Sequence, residues 1–89
     1  MTLFEISRLT EEQVQQKGIL EWPVWEKEVS CFPWYYDETE DCYILEGDIF
    51  IETAEGVIRV GPGDFVTFHK GLECKWDIRQ PVRKHYHFR

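Results

Sequence analysis

The fold of this 89-residue chain is decided by residues 43–51, which read YILEGDIFI. Two apolar segments typical of strands, 43–45 and 49–51, lie on either side of Gly47. A glycine inside such a pattern indicates a bulge or a sharp bend. A bend at Gly47 would let one long ribbon contribute to two sheets, as the closure of a small barrel requires.

Segments rich in β-branched and aromatic residues continue on both sides of this stretch, separated by turn residues. They predict eight short strands: 24–29, 32–36, 42–46, 48–53, 57–60, 65–69, 73–79 and 84–89, with the last turn at Gln80-Pro81. So many short antiparallel strands favour an all-β barrel or jelly roll, because closure removes exposed sheet edges. An open sandwich is the alternative.

One short helix is predicted near the N-terminus. Residues 10–13, TEEQ, have the form of a capping box, and Gly18 stands where a helix that began at Glu11 would end. Its only apolar residue is Val14, with Leu9 before it, so the helix should cover one end of the core. The predicted organisation is one domain, 1–89, with a helical segment at about 10–18 and a barrel at about 22–89.

Composition excludes some classes of partner. A net charge of −7 argues against nucleic acid, whose binding needs clustered basic residues. The C-terminal bases Arg79, Arg83 and Lys84 allow anion binding as an alternative to an acidic, solubilising surface. No apolar run approaches the roughly 20 residues of a membrane span, and the first residues lack the basic region of a secretion signal.

The cysteines predict the compartment. Cys31, Cys42 and Cys74 are odd in number and widely spaced, which fits neither a disulfide framework nor a Cys-x-x-Cys motif. Reduced thiols and a cytoplasmic location are therefore expected.

Two glycine-containing segments resemble the conserved blocks of the cupin superfamily (RmlC-like). They are residues 43–49, YILEGDI, and 61–68, GPGDFVTF, with Gly71 following. The first block, G-x5-H-x-H-x3,4-E-x6-G, falls on Glu28, Trp34, Tyr36, Glu40 and Gly47, of which the last two match. The second block, G-x5-P-x-G-x2-H-x3-N, falls on Gly63, His69, Gly71, Cys74 and Ile78, of which the two glycines match.

The resemblance covers about residues 22–89 and extends to a subgroup of small single-domain cupins, cupin_3. This subgroup is similar to the cupin domain of ureidoglycine aminohydrolase, and many members have no assigned activity. The segments that carry it are 22–25, WPVW, 34–36, WYY, and 81–86, PVRKHY. The resemblance implies a small cupin β-barrel (jelly roll) in which Gly47, Gly63 and Gly71 are structural.

The resemblance also implies a pocket at the usual metal position. Trp34, Tyr36, Glu40 and Cys74 would point into it, and Trp76 shares a strand face with Cys74. One carboxylate and one thiol are too few for a typical zinc site, so no metal cofactor is expected. Aromatic walls with one carboxylate suit a small polar or cationic organic ligand.

Each of these residues also has a plainer interpretation. Trp34 and Tyr36 could be core, Glu40 a solvated carboxylate, and Cys74 a small buried apolar residue. A metal site rebuilt on the H-x-H pair His85 and His87 is a further alternative.

The predicted function is that of a cupin-domain protein of unassigned activity, most simply a metal-independent barrel that binds a small molecule. The first alternative is a metal-dependent hydrolase or isomerase of the ureidoglycine aminohydrolase type, in which His85 or His87 joins Glu40. The second is a dimeric interaction module that uses exposed aromatics such as Trp22, Trp25 and Tyr35. A homodimer is expected because Trp22 and Trp25 exceed what one small core needs. The sequence leaves catalysis open.

Overall fold

The computed structural model describes residues 3–89, so the first two residues of the predicted domain lie outside it. The described chain forms seven strands and one α-helix, α1 (Glu11–Lys17), which is followed by a 3₁₀ turn at Ile19–Glu21. The strands are β1 (Phe4–Arg8), β2 (Val24–Lys27), β3 (Ser30–Tyr35), β4 (Glu40–Thr53), β5 (Gly56–Val60), β6 (Asp64–Phe68) and β7 (Glu73–Phe88). No helix within residues 3–89 is long and apolar enough to cross a membrane.

The two long strands, β4 and β7, pair with each other and form the centre of the sheet. Their Glu40–Ile44 and Lys84–Phe88 ends lie in the order β1-β6-β4-β7-β2. Their other ends are flanked by β5, which pairs with β4, and β3, which pairs with β7. All pairs are antiparallel, and the predicted all-β jelly roll is confirmed.

The barrel is less completely closed than the sequence predicts. Within residues 3–89, β1, β2, β3 and β5 each pair with only one other strand, so the hydrogen-bonded sheet stays open. The curvature comes from the irregular middle of the β4–β7 ribbon, where the register shifts three times between Ile44 and Ile49. Gly47 lies at this point with φ 129°, so the expected bend is present.

The strand prediction differs from the structure at three places. Segments 42–46 and 48–53 form one strand, β4, and segments 73–79 and 84–89 form one strand, β7. Gln80-Pro81 is therefore not a turn. Pro81 has no partner in the register of β2 or β4 with β7, so its missing N–H costs no ladder bond there. Strand β1 was missed because most of its residues are exposed and it shows little apolar alternation.

The predicted helix is confirmed, with both hydrogen bonds of its capping box between Thr10 and Gln13. Gly18 ends it in the left-handed conformation. The helix does not cover one end of the main core, however. Val14 and the fully buried Ile19 pack on Phe65 and form a second, smaller apolar cluster. The main core lies inside the folded sheet and includes Ile49, Ile51, Val66, Phe68 and Ile78.

A buried carboxylate joins the C-terminus to β4 and β6. Asp41 is 6% exposed, accepts a 2.7 Å hydrogen bond from Thr67 Oγ1, and receives two more from the Arg89 guanidinium at 2.9 and 3.0 Å. Burial alone would raise the pKa of Asp41, but the hydrogen bonds from Arg89 and Thr67 and the charge of Arg89 hold it below its usual value.

Asp41→Asn is expected to lower the free energy of unfolding by about 2 kcal/mol near pH 7, because charge-assisted hydrogen bonds are lost. Since the folded-state pKa is depressed, this contribution is present above the unfolded-state pKa of about 4 and disappears as the pH falls through the folded-state value. Urea denaturation of wild type and variant at about pH 7 and about pH 3 measures it. Asp77→Asn, which breaks an exposed pair with Arg79, is the control. A difference that stays equal at both pH values would contradict the role of the Asp41 charge.

Candidate ligand pocket

An aromatic cavity of about 210 Å³ is formed by residues from β2, from β3 and the residue after it, and from β4 and β7. Aromatic side chains make most of its lining, and one acidic and one basic side chain complete it. The lining residues are Trp25, Phe32, Trp34, Tyr36, Glu40, Trp76, Lys84, Tyr86 and Phe88.

Strand alternation explains why these residues share the cavity. Glu40 on β4 lies opposite Phe88 on β7, and four positions further along, Ile44 lies opposite Lys84. Residues two apart on a strand face the same side. Lys84, Tyr86 and Phe88 therefore point inward with Glu40, and the residues between them point outward.

Aromatic rings form the walls, and some of them stack on a neighbouring ring. Tyr36 lies parallel to Phe68 with ring centroids 4.8 Å apart, and Trp76 stacks on Phe32 at 6.2 Å. Tyr36 and Trp76 are each 2% exposed, whereas Trp34 is 51% exposed at the edge of the cavity. Aromatic rings therefore line the way from solvent to the buried part of the cavity, with the Trp34 ring at 76° to that of Tyr36.

A buried ion pair lies in the cavity wall. Lys84 Nζ is 3.3 Å from Glu40 Oε2 and 3.3 Å from Cys42 Sγ, and the Lys84 and Glu40 side chains are 6% and 7% exposed. The same ammonium lies 5.0 Å from the centre of the Trp25 ring and 4.9 Å from that of Trp76. Two aromatic faces and one carboxylate thus surround the cation of Lys84.

Protonation states follow from burial. Burial raises the pKa of the Cys42 thiol to about 12 and that of Cys74 to about 11, so both are neutral thiols near neutral pH. Burial likewise raises the pKa of Tyr36 far above its usual value. Burial alone would lower the pKa of Lys84, but interactions with Cys42 and Glu40 raise it. Because Cys42 is neutral near pH 7, Glu40 supplies the negative charge that keeps Lys84 ionised.

One buried hydrogen-bond donor beside the cavity has no partner in the described part of the chain. Trp76 Nε1 is buried and has no hydrogen-bond partner among residues 3–89. Neither the Tyr36 hydroxyl nor the Cys74 thiol meets hydrogen-bond geometry with it. Buried indole N–H groups usually have a partner, so this donor needs an explanation.

The structure brings together four of the five residues that the sequence placed in the pocket, namely Trp34, Tyr36, Glu40 and Trp76. Cys74 lies beside the cavity without lining it, and its thiol is 3.7 Å from the carbonyl oxygen of Trp34. Of the glycines, Gly63 and Gly71 have positive φ angles of 88° and 99° in the turns that flank β6.

The structure does not bring the histidine pair to Glu40. His85 Nδ1 lies 2.9 Å from the carbonyl oxygen of Trp22, and His87 stacks on the Trp22 ring at 5.1 Å. Both side chains point to the face of the sheet that carries the second apolar cluster. Lys84 and Tyr86, the neighbours of His85, take the inward positions on the side of Glu40.

The three basic residues proposed for anion binding do not form a cluster. Arg79 pairs with Asp77 and Arg83 with Glu26 on the outside, while Lys84 is buried with Glu40.

Sequence reasoning did not place Lys84 in the pocket. The available signal was the alternation of Val82, Lys84, Tyr86 and Phe88, a face on which one charge interrupts apolar residues.

The resemblance to cupins implies a metal at this position, and the residues present do not fit one. Within the part of the chain that the structure describes, no three His, Cys, Asp or Glu side chains form a group that could bind a metal ion. Glu40 is already paired with an ammonium, whose charge repels a second cation.

Comparisons with known proteins show the family of this chain. The family model described as EutQ-like cupin domain, Cupin_3, matches residues 14–86. A DUF861 family protein from Thermotoga maritima has a similar structure, with a TM-score of 0.93 and 47% identity over 97% of this chain and 99% of that one. A protein of unknown function from Pseudomonas syringae, also in the DUF861 family, has a TM-score of 0.68 and 26% identity over 74% of this chain and 29% of that one.

The EutQ protein of Clostridium difficile shares the fold at a TM-score of 0.65 and 19% identity, over 71% of this chain and half of that one. No curated protein matches the chain. The family model covers most of the sequence and the cupin jelly roll is present, so the chain belongs to the EutQ-like cupin family, Cupin_3.

Proposed function

We propose that this protein is a metal-independent cupin barrel that binds a small organic molecule in its aromatic cavity. The observation that carries this proposal is the ion pair of Lys84 and Glu40, which lies buried in the wall of an otherwise aromatic cavity. Ligand sites are typically concave and apolar with a few convergent polar groups. This cavity has that character, and its volume of about 210 Å³ restricts the ligand to a small one.

The structure changes the expected chemistry of the ligand. The sequence favoured a polar or cationic molecule, with Glu40 as the acceptor for a cation. Lys84 now supplies that cation from within the chain, and it also lies over the faces of Trp25 and Trp76. A cationic ligand would have to displace Lys84, so a polar molecule without a positive charge fits better.

Phenol is a suitable first probe because it is flat and has only one polar group. In an NMR titration, phenol is expected to shift the indole N–H signals of Trp25, Trp34 and Trp76, which line the cavity. The signal of Trp22 should stay in place, because this ring packs on Phe65 and His87. Shifts at Trp22 alone, or at none of the four, would contradict the proposal.

Two neighbouring aromatic residues give a matched pair of variants. Trp34→Ala should weaken phenol binding about fivefold, because about 1 kcal/mol of apolar contact is lost. Tyr35→Ala should leave it unchanged, because Tyr35 is equally exposed at 54% but does not line the cavity. Equal effects of the two changes would place the phenol elsewhere.

The protein purified without chelator is expected to contain far less than one transition-metal ion per chain, because the donor set does not fit a metal. Elemental analysis measures this, and EDTA should leave phenol binding unchanged. Near-stoichiometric manganese, zinc, nickel or iron that is lost in Glu40→Gln would overturn the metal-independent proposal and favour the hydrolase or isomerase alternative.

Homodimerisation and a cytoplasmic location stay predictions. Trp22 and Trp25 offer less surface to a dimer than the sequence predicts, because both are half-buried within the chain. Trp22 packs on His87 and Trp25 on Trp76. Of the three aromatics expected at a dimer face, only Tyr35 is exposed. Light scattering at high protein concentration decides between monomer and dimer.

A further inference from the structure

We propose that the ligand of this cavity is an uncharged, planar molecule whose polar edge carries a hydrogen-bond acceptor beside a donor, as a primary amide does. This inference rests on the proposed function and adds the class of ligand. Three features of the cavity support it: the cancelling charges of its ion pair, its unused hydrogen-bonding groups and its aromatic walls.

The first feature is charge. Lys84 and Glu40 are both almost fully buried and 3.3 Å apart, so their opposite charges cancel at the site. A ligand with a full charge would meet one attractive and one repulsive partner at similar distances. It would also lose its hydration on entering an aromatic cavity, with little net attraction in return. An uncharged ligand avoids this cost.

The second feature is the set of groups that lack partners. Lys84 has three N–H donors, of which Glu40 and Cys42 take two. Glu40 is bonded through Oε2, and its second oxygen, Oε1, receives no hydrogen bond from residues 3–89.

These groups require complementary atoms on the ligand. A carbonyl oxygen can accept from the third N–H of Lys84. An N–H beside it can donate to Glu40 Oε1. Because the ammonium and the carboxylate are already in contact with each other, the acceptor and the donor of the ligand must also be adjacent.

The third feature is the shape of the walls. The rings of Phe32 and Trp76, which both line the cavity, lie within 13° of parallel, and Trp34 at the edge stands at 87° to Phe32. Aromatic faces and edges of this kind favour an aromatic or otherwise planar body. The volume of about 210 Å³ admits one ring with a short polar group.

Benzamide, benzoate and benzamidinium test the charge and the polar edge together, because they have nearly the same size and shape but differ in charge. NMR titration of the wild-type protein is expected to give a dissociation constant for benzamide at least about tenfold below that of either ion. Binding of benzoate or benzamidinium as tight as that of benzamide would overturn the inference.

A single substitution should reverse the preference. Glu40→Gln leaves Lys84 uncompensated and makes the cavity positive, so benzoate should then bind more tightly than benzamide. The control is Glu26→Gln, which breaks an exposed pair with Arg83 that has the same 3.3 Å distance, and it should keep the wild-type order. An unchanged order in a folded Glu40→Gln would also overturn the inference, and the wild-type titrations hold whether or not the variant folds.

Toluene separates this inference from the proposed function. If toluene shifts the three cavity indoles and benzamide has no advantage over it, the polar edge is wrong and the binding function stands. If neither toluene nor benzamide shifts them, the proposed function fails and the inference fails with it.

Discussion

Lys84→Met is expected to lower the free energy of unfolding by about 3–5 kcal/mol, because it leaves the carboxylate of Glu40 buried without its partner. Arg83→Met on the same strand should lower it by less than about 1 kcal/mol. Both basic residues have an N···O distance of 3.3 Å to their acidic partners, Glu40 and Glu26. The pairs differ in exposure, at 6% and 7% for the inner pair and 50% and 67% for the outer one.

Urea denaturation of the two variants measures this difference directly. The double variant Lys84→Met with Glu40→Gln should recover most of the lost stability, because no unpaired buried charge remains. If Arg83→Met and Lys84→Met cost the same, or if the double variant is the least stable of the set, the buried charge is not the cause.

Gly47→Ala is expected to lower the free energy of unfolding by about 3–4 kcal/mol, of which about 1–3 kcal/mol is backbone strain. Its φ of 129° is rarely adopted by residues with a Cβ, and an added Cβ would lie 3.0 Å from the backbone Cα of Val82. Gly56 has nearly the same φ, 127°, but no atom lies within 4 Å of an added Cβ.

Gly56→Ala therefore measures the strain alone and should cost about 1–2 kcal/mol. The difference between the two variants reports the close approach of β4 and β7 at the bend. Thermal or urea unfolding of both variants gives this difference. Equal losses would show that the backbone at Gly47 relaxes freely and that its tight contact with β7 contributes nothing.

Local chemistry predicted much of the fold. The capping box at Thr10, the helix end at Gly18 and the bend at Gly47 each depend on residues close in sequence, and each lies where expected. The strand ends were less predictable, because they depend on pairing. Pro81 looks like a turn in the sequence, yet it continues a strand because β7 has no ladder partner to lose at that residue.

The site was predictable on the side that the cupin motif describes and not on the opposite side. Trp34, Tyr36 and Glu40 fall on motif positions, and the structure brings them to one cavity. Lys84 lies outside the motif, and its role depends on which face of β7 turns inward. The H-x-H pattern of His85 and His87 resembles a metal site, but the opposite, more apolar face of the same strand is the one that carries Lys84.

The continuous β4–β7 ribbon has a consequence for how the molecule can open. Both parts of the sheet are built on the same two strands, so neither part has a hydrogen-bonded frame of its own. Fraying is therefore confined to the strands with a single neighbour, β1, β2, β3 and β5, while separation of β4 from β7 removes both parts at once. The cavity takes Glu40 from one of these strands and Lys84 from the other. Loss of β2 or β3 would uncover the buried ion pair from one side, whereas Glu40 and Lys84 part from each other only when β4 separates from β7, and the most slowly exchanging amides are expected in the ribbon that holds them.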